Sequence, residues 1–249
     1  MCSHCSCGVA EVPRELPQEV SSASPPAPAP LPRTLAVTTS LLQRNDELAA
    51  VNRQRFAAAG VRVVNLLSSP GSGKTALLEQ LAGRLQRRGD VAMAVVVGDL
   101  ATDNDARRLA ATGTPAVQIT TGQACHLEAA MVQRAVDELE ARGQPLSELA
   151  LLVIENVGNL VCPAAYDLGE GLRLVLLSVT EGEDKPLKYP AMFHSADVVL
   201  IAKSDLAEVV GFDRAAARAA VARVAPHARL LEVSARSGDG MEALLELLL

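Results

Sequence analysis

Aromatic residues are almost missing from this chain. Phe, Tyr and Trp together make up 2% of its 249 residues, and Trp is absent altogether. The hydrophobic fraction is nevertheless 49%, so we expect an aliphatic core of Val, Leu, Ile and Ala. A chain of this length suits one globular domain with an appendage.

The sequence also lacks a basic surplus and a long apolar run. Its net charge of -6 argues against general nucleic-acid binding, because nucleic-acid-binding domains usually carry a basic stripe. The longest apolar runs, 149–154 and 196–202, are far shorter than the roughly 20 residues that cross a membrane. The N-terminus has no signal-peptide pattern. We therefore expect a cytoplasmic protein without membrane contact, whose cysteines are reduced thiols.

Cysteine is scarce and unevenly placed. An odd total of five, with three of them inside residues 2–7, does not suit a disulfide framework and favours metal binding. We divide the chain into a Cys-rich tip over residues 1–8, a flexible linker over 9–34 that is rich in Pro and Ala, and a globular domain over 35–249.

Strand-like and helix-like segments alternate through the globular part. Strands are expected at 61–67, 91–97, 116–119, 149–154, 172–179, 197–202 and 228–233. Helices are expected at 39–59, 74–88, 103–111, 125–142, 213–225 and 240–249. Apolar strands that alternate with helices predict an α/β fold with a mostly parallel sheet covered on both faces.

The sharpest motif is Ser-Ser-Pro-Gly-Ser-Gly-Lys-Thr at residues 68–75. It follows a predicted strand and opens a predicted helix, which is the setting of a phosphate-binding P-loop. In such a loop Lys74 reaches the β- and γ-phosphates and the Thr75 hydroxyl ligates Mg²⁺. Ser68 stands where the first glycine of the motif is usual. The residues expected to bind the phosphates are Gly71, Ser72, Gly73, Lys74 and Thr75.

Two acidic residues at strand ends are predicted to act with this loop. Asp99 and Glu155 each end a strand, so both are expected at the carboxyl edge of the sheet, where ligands bind. We expect Asp99 to hold Mg²⁺ with Thr75, Glu155 to hold it through water, and both to form the catalytic set with Lys74. Gly158 is placed to sense the γ-phosphate. Because no arginine finger or catalytic glutamine is evident, we expect slow hydrolysis.

A third segment favours guanine as the base. Lys203 and Asp205 fit the Asn-Lys-x-Asp sequence with which GTPases read guanine, although Ala202 replaces the asparagine. Ser234 and Ala235 follow the last long strand, where GTPases place a Ser-Ala pair. The missing asparagine predicts weaker discrimination between GTP and ATP. A small-molecule kinase is the alternative, but no acceptor pocket with its own base is evident.

Thiols and one imidazole predict a metal site in the globular domain. Cys125 and His126 open a predicted helix, whose positive end favours thiolate. Cys162 lies seven residues after Glu155. Soft thiolates with imidazole suit Zn²⁺ or Ni²⁺. Three ligands leave a four-coordinate ion incomplete, so two chains could pool their ligands across a dimer interface.

The tip predicts a second metal site. Cys2, Cys5 and Cys7 lie on a polar segment with no core to pack into. With His4 or the terminal amine as a fourth donor, they could form the four-coordinate N/S site that suits Ni²⁺.

Taken together, these features resemble the HypB family, the nickel-incorporation GTPases of [NiFe]-hydrogenase maturation. The resemblance rests on the cysteines of the tip, the P-loop, Gly98-Asp99-Leu100, Cys125-His126 and the segment 155–163. It implies a SIMIBI-class GTPase that forms a homodimer promoted by GTP and metal.

The resemblance also implies metal sites and partners. A tight nickel site would lie at Cys2, Cys5 and Cys7, and a weaker nickel or zinc site at Cys125, His126 and Cys162. The implied partners are a small HypA-like zinc and nickel protein and the precursor of the hydrogenase large subunit. Two alternatives stay open: a urease-accessory GTPase, which has a similar P-loop without the tip, and a nickel storage protein.

Overall fold

The computed structural model describes residues 33–89, 92–101 and 103–249. The predicted tip with Cys2, Cys5 and Cys7, and the linker as far as residue 32, lie outside the described residues. Among the helices that the structure describes, none has the length and apolar character needed to cross a membrane.

Helices and strands alternate along the described chain, as the sequence predicts. The helices are α1 Arg33–Ala59, α2 Lys74–Arg88, α3 Asn104–Ala111, α4 Ala129–Ala141, α5 Lys185–Lys188, α6 Pro190–His194, α7 Arg214–Val224 and α8 Met241–Leu248. The strands are β1 Arg62–Leu67, β2 Met93–Asp99, β3 Ala116–Thr120, β4 Leu151–Glu155, β5 Leu172–Ser178, β6 Val198–Ala202 and β7 Arg229–Val233.

The described strands form one parallel sheet in the order β3-β2-β4-β1-β5-β6-β7. Because β1 lies between β4 and β5, the loops that follow these three strands meet at one carboxyl edge. The predicted α/β fold with a parallel sheet is confirmed. The sheet places the P-loop after β1 beside Glu155 at the end of β4.

Both faces of the sheet are covered. One face packs against α2, α3 and α8 through a continuous aliphatic cluster. The other face carries two clusters, one against α1 and α4 and one against α6 and α7. Val63 belongs to the first of these two clusters and Leu67 to the second, so β1 runs along their boundary.

Two asparagines of helix α1 form hydrogen bonds to loops that lead to the candidate site. Asn45 Nδ2 donates to the Asp167 carbonyl at 2.7 Å, and Asn45 Oδ1 accepts from the Ala129 N–H at 2.9 Å. Asn52 Nδ2 donates to the carbonyls of Ala129 and Leu168. This helix begins six residues earlier than predicted, because no Gly or Pro interrupts the sequence from Arg33 to Ala59.

The prediction that Cys125 and His126 open a helix is wrong. The helix α4 begins at Ala129, after Glu128 in an extended conformation. Side chains of the segment after β4 form hydrogen bonds with the backbone that precedes α4. Asn159 Nδ2 donates to the Cys125 carbonyl, and the Leu127 N–H donates to Asn156 Oδ1. The thiol of Cys125 therefore lies in a loop, and the argument from the helix dipole does not apply to it.

Candidate functional site

The P-loop connects β1 to α2 with a backbone that only glycine adopts readily. Gly73 has φ of 101° and directly precedes α2, a conformation that side-chain-bearing residues rarely take. Lys74 is buried, and its ammonium donates to Ser68 Oγ at 3.0 Å. The serine at the usual first glycine thus points inward and holds the lysine beside the loop.

Glu155 lies against the P-loop and has an unsatisfied oxygen. The Thr75 hydroxyl donates to Glu155 Oε1 at 2.9 Å, whereas Oε2 is buried with no hydrogen-bond partner among the described residues. Burial raises the pKa of Glu155 to about 7, although Lys74 and Thr75 act in the opposite direction. Burial also lowers the pKa of Lys74. A carboxylate with one oxygen that has no hydrogen-bond partner, beside a hydroxyl, fits a hard divalent cation such as Mg²⁺.

A cleft of about 400 Å³ opens over these residues. Asp99, at the end of β2, lines it, and its Oδ1 accepts from the Ala101 N–H at 3.1 Å. Arg108 of α3 also lines the cleft and pairs with Glu79 at 2.7 Å. Sequence reasoning missed this arginine, because nothing in the sequence of α3 distinguishes it from a solvated helical residue.

The segment after β4 touches the P-loop directly. A Cβ on Gly158 would lie 2.9 Å from the Cα of Pro70, so only glycine fits at this approach. The P-loop thus lies in direct contact with the chain that continues to Cys162.

A second pocket of about 300 Å³ lies beside the P-loop, between α2 and the loop after β6. Ala202, Lys203, Asp205 and Ala235 line it. Lys203 has a left-handed backbone with φ of 59° and donates to the Gly71 carbonyl at 2.7 Å. The Ser234 hydroxyl donates to Asp205 Oδ1 at 2.6 Å. Of the predicted base-reading residues, Lys203, Asp205 and Ala235 thus share one pocket next to the predicted phosphate loop, and the buried Ser234 contacts it through Asp205.

Cys125, His126 and Cys162 come together as predicted. Their ligand atoms all lie within 4.8 Å of one another. The two Sγ atoms are 2.9 Å apart, and Cys125 Sγ is 3.9 Å from Nδ1 of His126. Cys162 opens the turn Cys162–Ala165 that follows the segment after β4. Two thiols and an imidazole at this spacing form a candidate site for a soft or borderline metal ion.

The surroundings of this cluster favour the metal-binding form of the imidazole. Burial lowers the pKa of His126, against the opposing effect of Glu128. The ring stacks on Tyr166 with centroids 3.8 Å apart. The contact with Cys125, and secondly burial, raises the pKa of Cys162. A bound cation would reverse this effect on the thiol, because coordination deprotonates it.

The raised pKa of Glu155 predicts a pH-dependent stability without nucleotide and Mg²⁺. Between pH 4.5 and about 7 the folded protein holds a proton that the unfolded chain has lost. The free energy of unfolding therefore falls as pH rises through this window, by a total of about 3 kcal/mol. Urea unfolding at about pH 5 and pH 7.5 measures it. Glu155→Gln should lose this contribution, whereas the exposed Glu47→Gln should keep it; the same slope in Glu155→Gln would contradict the assignment.

Comparison with known proteins places the chain in a family. The family model described as the CobW/HypB/UreG nucleotide-binding domain matches residues 62–232. The hydrogenase maturation factor HypB of Azotobacter chroococcum mcd 1 is 53% identical over 84% of this chain, and the match spans 66% of that relative's own length. The hydrogenase/urease maturation factor HypB of Helicobacter pylori is 44% identical over 84% of this chain and 85% of its own.

A solved structure shares the fold. The crystal structure of HypB from Helicobacter pylori in complex with nickel matches with a TM-score of 0.78 and 45% identity. The match covers 82% of this chain and 93% of the other.

Proposed function

Because this chain belongs to the HypB branch of the CobW/HypB/UreG family, we propose that it is a SIMIBI-class GTPase that delivers nickel during the maturation of [NiFe]-hydrogenase. One observation carries the proposal. Cys125, His126 and Cys162 are here called the thiolate–imidazole cluster. The segment that begins with Glu155 in the nucleotide cleft ends seven residues later, at Cys162 of this cluster. A change at the phosphates therefore acts on a metal ligand through a short, packed connection.

The hydrolytic step uses the residues of the cleft. Water attacks the γ-phosphorus, and the bond between that phosphorus and the β,γ-bridging oxygen breaks, so GDP and phosphate are released. The Lys74 ammonium offsets the charge on the phosphate oxygens, and the P-loop N–H groups hold them. Mg²⁺ held by Thr75, with Asp99 and Glu155, would add positive charge there. Asp205 and Lys203 orient the guanine. Because Ala202 has no side-chain amide, we still expect weak discrimination between GTP and ATP.

Nickel is the cargo of the proposed reaction. Cys125, His126 and Cys162 bind Ni²⁺ or Zn²⁺ with three donors, and a second copy of the chain completes the coordination. A homodimer promoted by GTP and metal would bring the two sets of ligands together. The tip over residues 1–8 provides a tighter nickel site at Cys2, Cys5 and Cys7, tethered to the GTPase domain by the linker that precedes α1. The partners are a HypA-like zinc and nickel protein and the precursor of the hydrogenase large subunit.

The proposal is tested by nickel release during GTP turnover. The full chain, loaded with Ni²⁺, is mixed with a chromogenic chelator and either GTP or GDP with Mg²⁺. We expect the chain to hold nickel about tenfold more tightly against the chelator before the GTP is hydrolysed than with GDP, and to release it as turnover proceeds, since a modest coupling free energy of roughly 1.4 kcal/mol produces such a factor in affinity. Equal release with both nucleotides would leave the nickel-storage alternative in place of the GTPase-driven one.

Urease maturation is the second candidate. It is favoured by the Helicobacter pylori relative, which is a hydrogenase/urease maturation factor. Both enzymes receive nickel, so the chemistry of the two proposals is the same and only the recipient differs.

A further inference from the structure

One fully buried polar residue interrupts the apolar strand β1. Asn65 has no exposed surface, and the strand residues around it are aliphatic and buried. It lies where the sheet face passes from the cluster against α1 and α4 to the cluster against α6 and α7. A buried amide needs hydrogen-bond partners in the protein, and its partners lead in two directions.

A line of hydrogen bonds, here called the polar chain, consists of Asn156, Asn65, Glu170 and Arg173. Asn156 Nδ2 donates to Asn65 Oδ1 at 3.3 Å, and Asn65 Nδ2 donates to Glu170 Oε1 at 3.1 Å. Arg173 Nε donates to the same Oε1 at 2.6 Å. Asn65 and Arg173 are also register partners across β1 and β5.

The first end of the polar chain lies in the nucleotide cleft. Asn156 directly follows Glu155, whose carboxylate accepts the hydroxyl of Thr75. Asn156 Oδ1 also accepts from the N–H of Val157 and from that of Leu127, the residue after His126. One buried amide therefore contacts the phosphate-sensing segment and one side of the metal cluster.

The other end of the polar chain holds the opposite side of the cluster. Arg173 donates to the carbonyl of Tyr166 at 2.7 Å and to that of Ala164 at 3.3 Å. Ala164 belongs to the turn that Cys162 opens, and the Tyr166 ring stacks on His126. The polar chain thus fixes the backbone on both sides of the thiolate–imidazole cluster.

We infer that Asn65, Glu170 and Arg173 are positioning residues that couple the nucleotide state to the geometry of the metal cluster. The inference rests on the proposed function. In an interior without water, a side chain that moves away leaves its hydrogen-bond partner unpaired, which costs free energy. Side chains joined by such hydrogen bonds are therefore favoured to move together. When Asn156 shifts with the phosphate-sensing segment, Asn65 and Glu170 transmit the shift to Arg173 and so to the turn of Cys162. The decisive quantity is the ratio of the nickel affinities in the two nucleotide states.

The test uses the full chain with Cys2→Ser, Cys5→Ser and Cys7→Ser, which leaves one class of nickel site. Its Kd for Ni²⁺ is measured with GDP and with a non-hydrolysable GTP analogue. The variants are Asn65→Leu, which removes the amide at similar volume, and Arg173→Lys, which keeps the charge at Glu170 but loses the two carbonyl contacts. Arg55→Lys is the matched control, because Arg55 pairs with Asp137 and Glu140 on α4, apart from the polar chain.

We expect a ratio of about tenfold between the two nucleotide states in the parent and in Arg55→Lys. In Asn65→Leu and Arg173→Lys the ratio should fall to within twofold. A purely structural role would weaken nickel binding equally in both states and keep the ratio, which would overturn the inference. Arg173→Lys decides the question if Asn65→Leu does not fold. Equal nickel Kd values in the two nucleotide states of the parent would overturn the proposed coupling itself. A tenfold ratio of Kd values that is retained in the variants would overturn only the role of the polar chain.

Discussion

Lys74→Ala is expected to lower the rate of GTP hydrolysis by roughly 10²–10³-fold, the usual loss when a preorganised donor to transition-state charge is removed. Lys74 is held at the P-loop by Ser68 Oγ at 3.0 Å, and it is buried beside Glu155. Without the ammonium, no positive charge of this side chain offsets the repulsion between the phosphate oxygens and the neighbouring carboxylates. Phosphate release under saturating GTP and Mg²⁺ gives the rate.

The matched control for this variant is Arg62→Ala. Arg62 is an exposed cation at the first residue of β1, the end of the strand opposite to the P-loop. It should hydrolyse GTP at the parent rate. Residual turnover of Lys74→Ala within about threefold of the parent would mean that the P-loop is not the hydrolytic site.

Cys162→Ala is expected to weaken nickel binding at the thiolate–imidazole cluster by roughly 100-fold. Four-ligand structural zinc sites bind with an apparent 10–16 kcal/mol, which is about 3 kcal/mol per ligand, and 1.4 kcal/mol corresponds to a factor of ten. The thiol lies 2.9 Å from that of Cys125, so both sulfurs can reach one ion. A nickel titration of the full chain, fitted to two classes of site, measures the loss.

The control for this prediction is Cys7→Ala, which removes a thiol of the tip. It should weaken the other class of site and leave the cluster unchanged, while both variants keep nucleotide binding. If Cys162→Ala and Cys7→Ala alter the same class, the two-site proposal fails.

The parts of the site that local sequence determines could be predicted. The P-loop requires a fixed order of glycine, lysine and threonine between a strand and a helix, and α2 begins at Lys74 as expected. Strand ends at a parallel sheet share one edge, so the sequence predicts that Asp99 and Glu155 lie near the loop. The sequence also predicts one metal site from Cys125, His126 and Cys162, because soft thiolates with an imidazole suit Zn²⁺ or Ni²⁺.

The parts that depend on tertiary contacts could not be predicted. The sequence predicts a helix from Cys125, whereas the hydrogen bonds with Asn156 and Asn159 hold this part of the chain outside α4. The polar chain is visible in the sequence only as one asparagine within an aliphatic strand. Glu170 and Arg173 lie 105 residues or more from Asn65 along the chain, and no local sequence pattern connects them with it.

The most direct test of the central claim, that nucleotide state controls metal binding, is the Ni²⁺ affinity of the thiolate–imidazole cluster with GDP and with a non-hydrolysable GTP analogue. Linkage requires that nickel change the affinity for the analogue relative to GDP by the same factor, so the reverse titration checks the result. The connection from Glu155 to Cys162 predicts that the two nickel Kd values differ by about tenfold. Equal values in both nucleotide states would contradict it and leave a static metal site beside an independent GTPase.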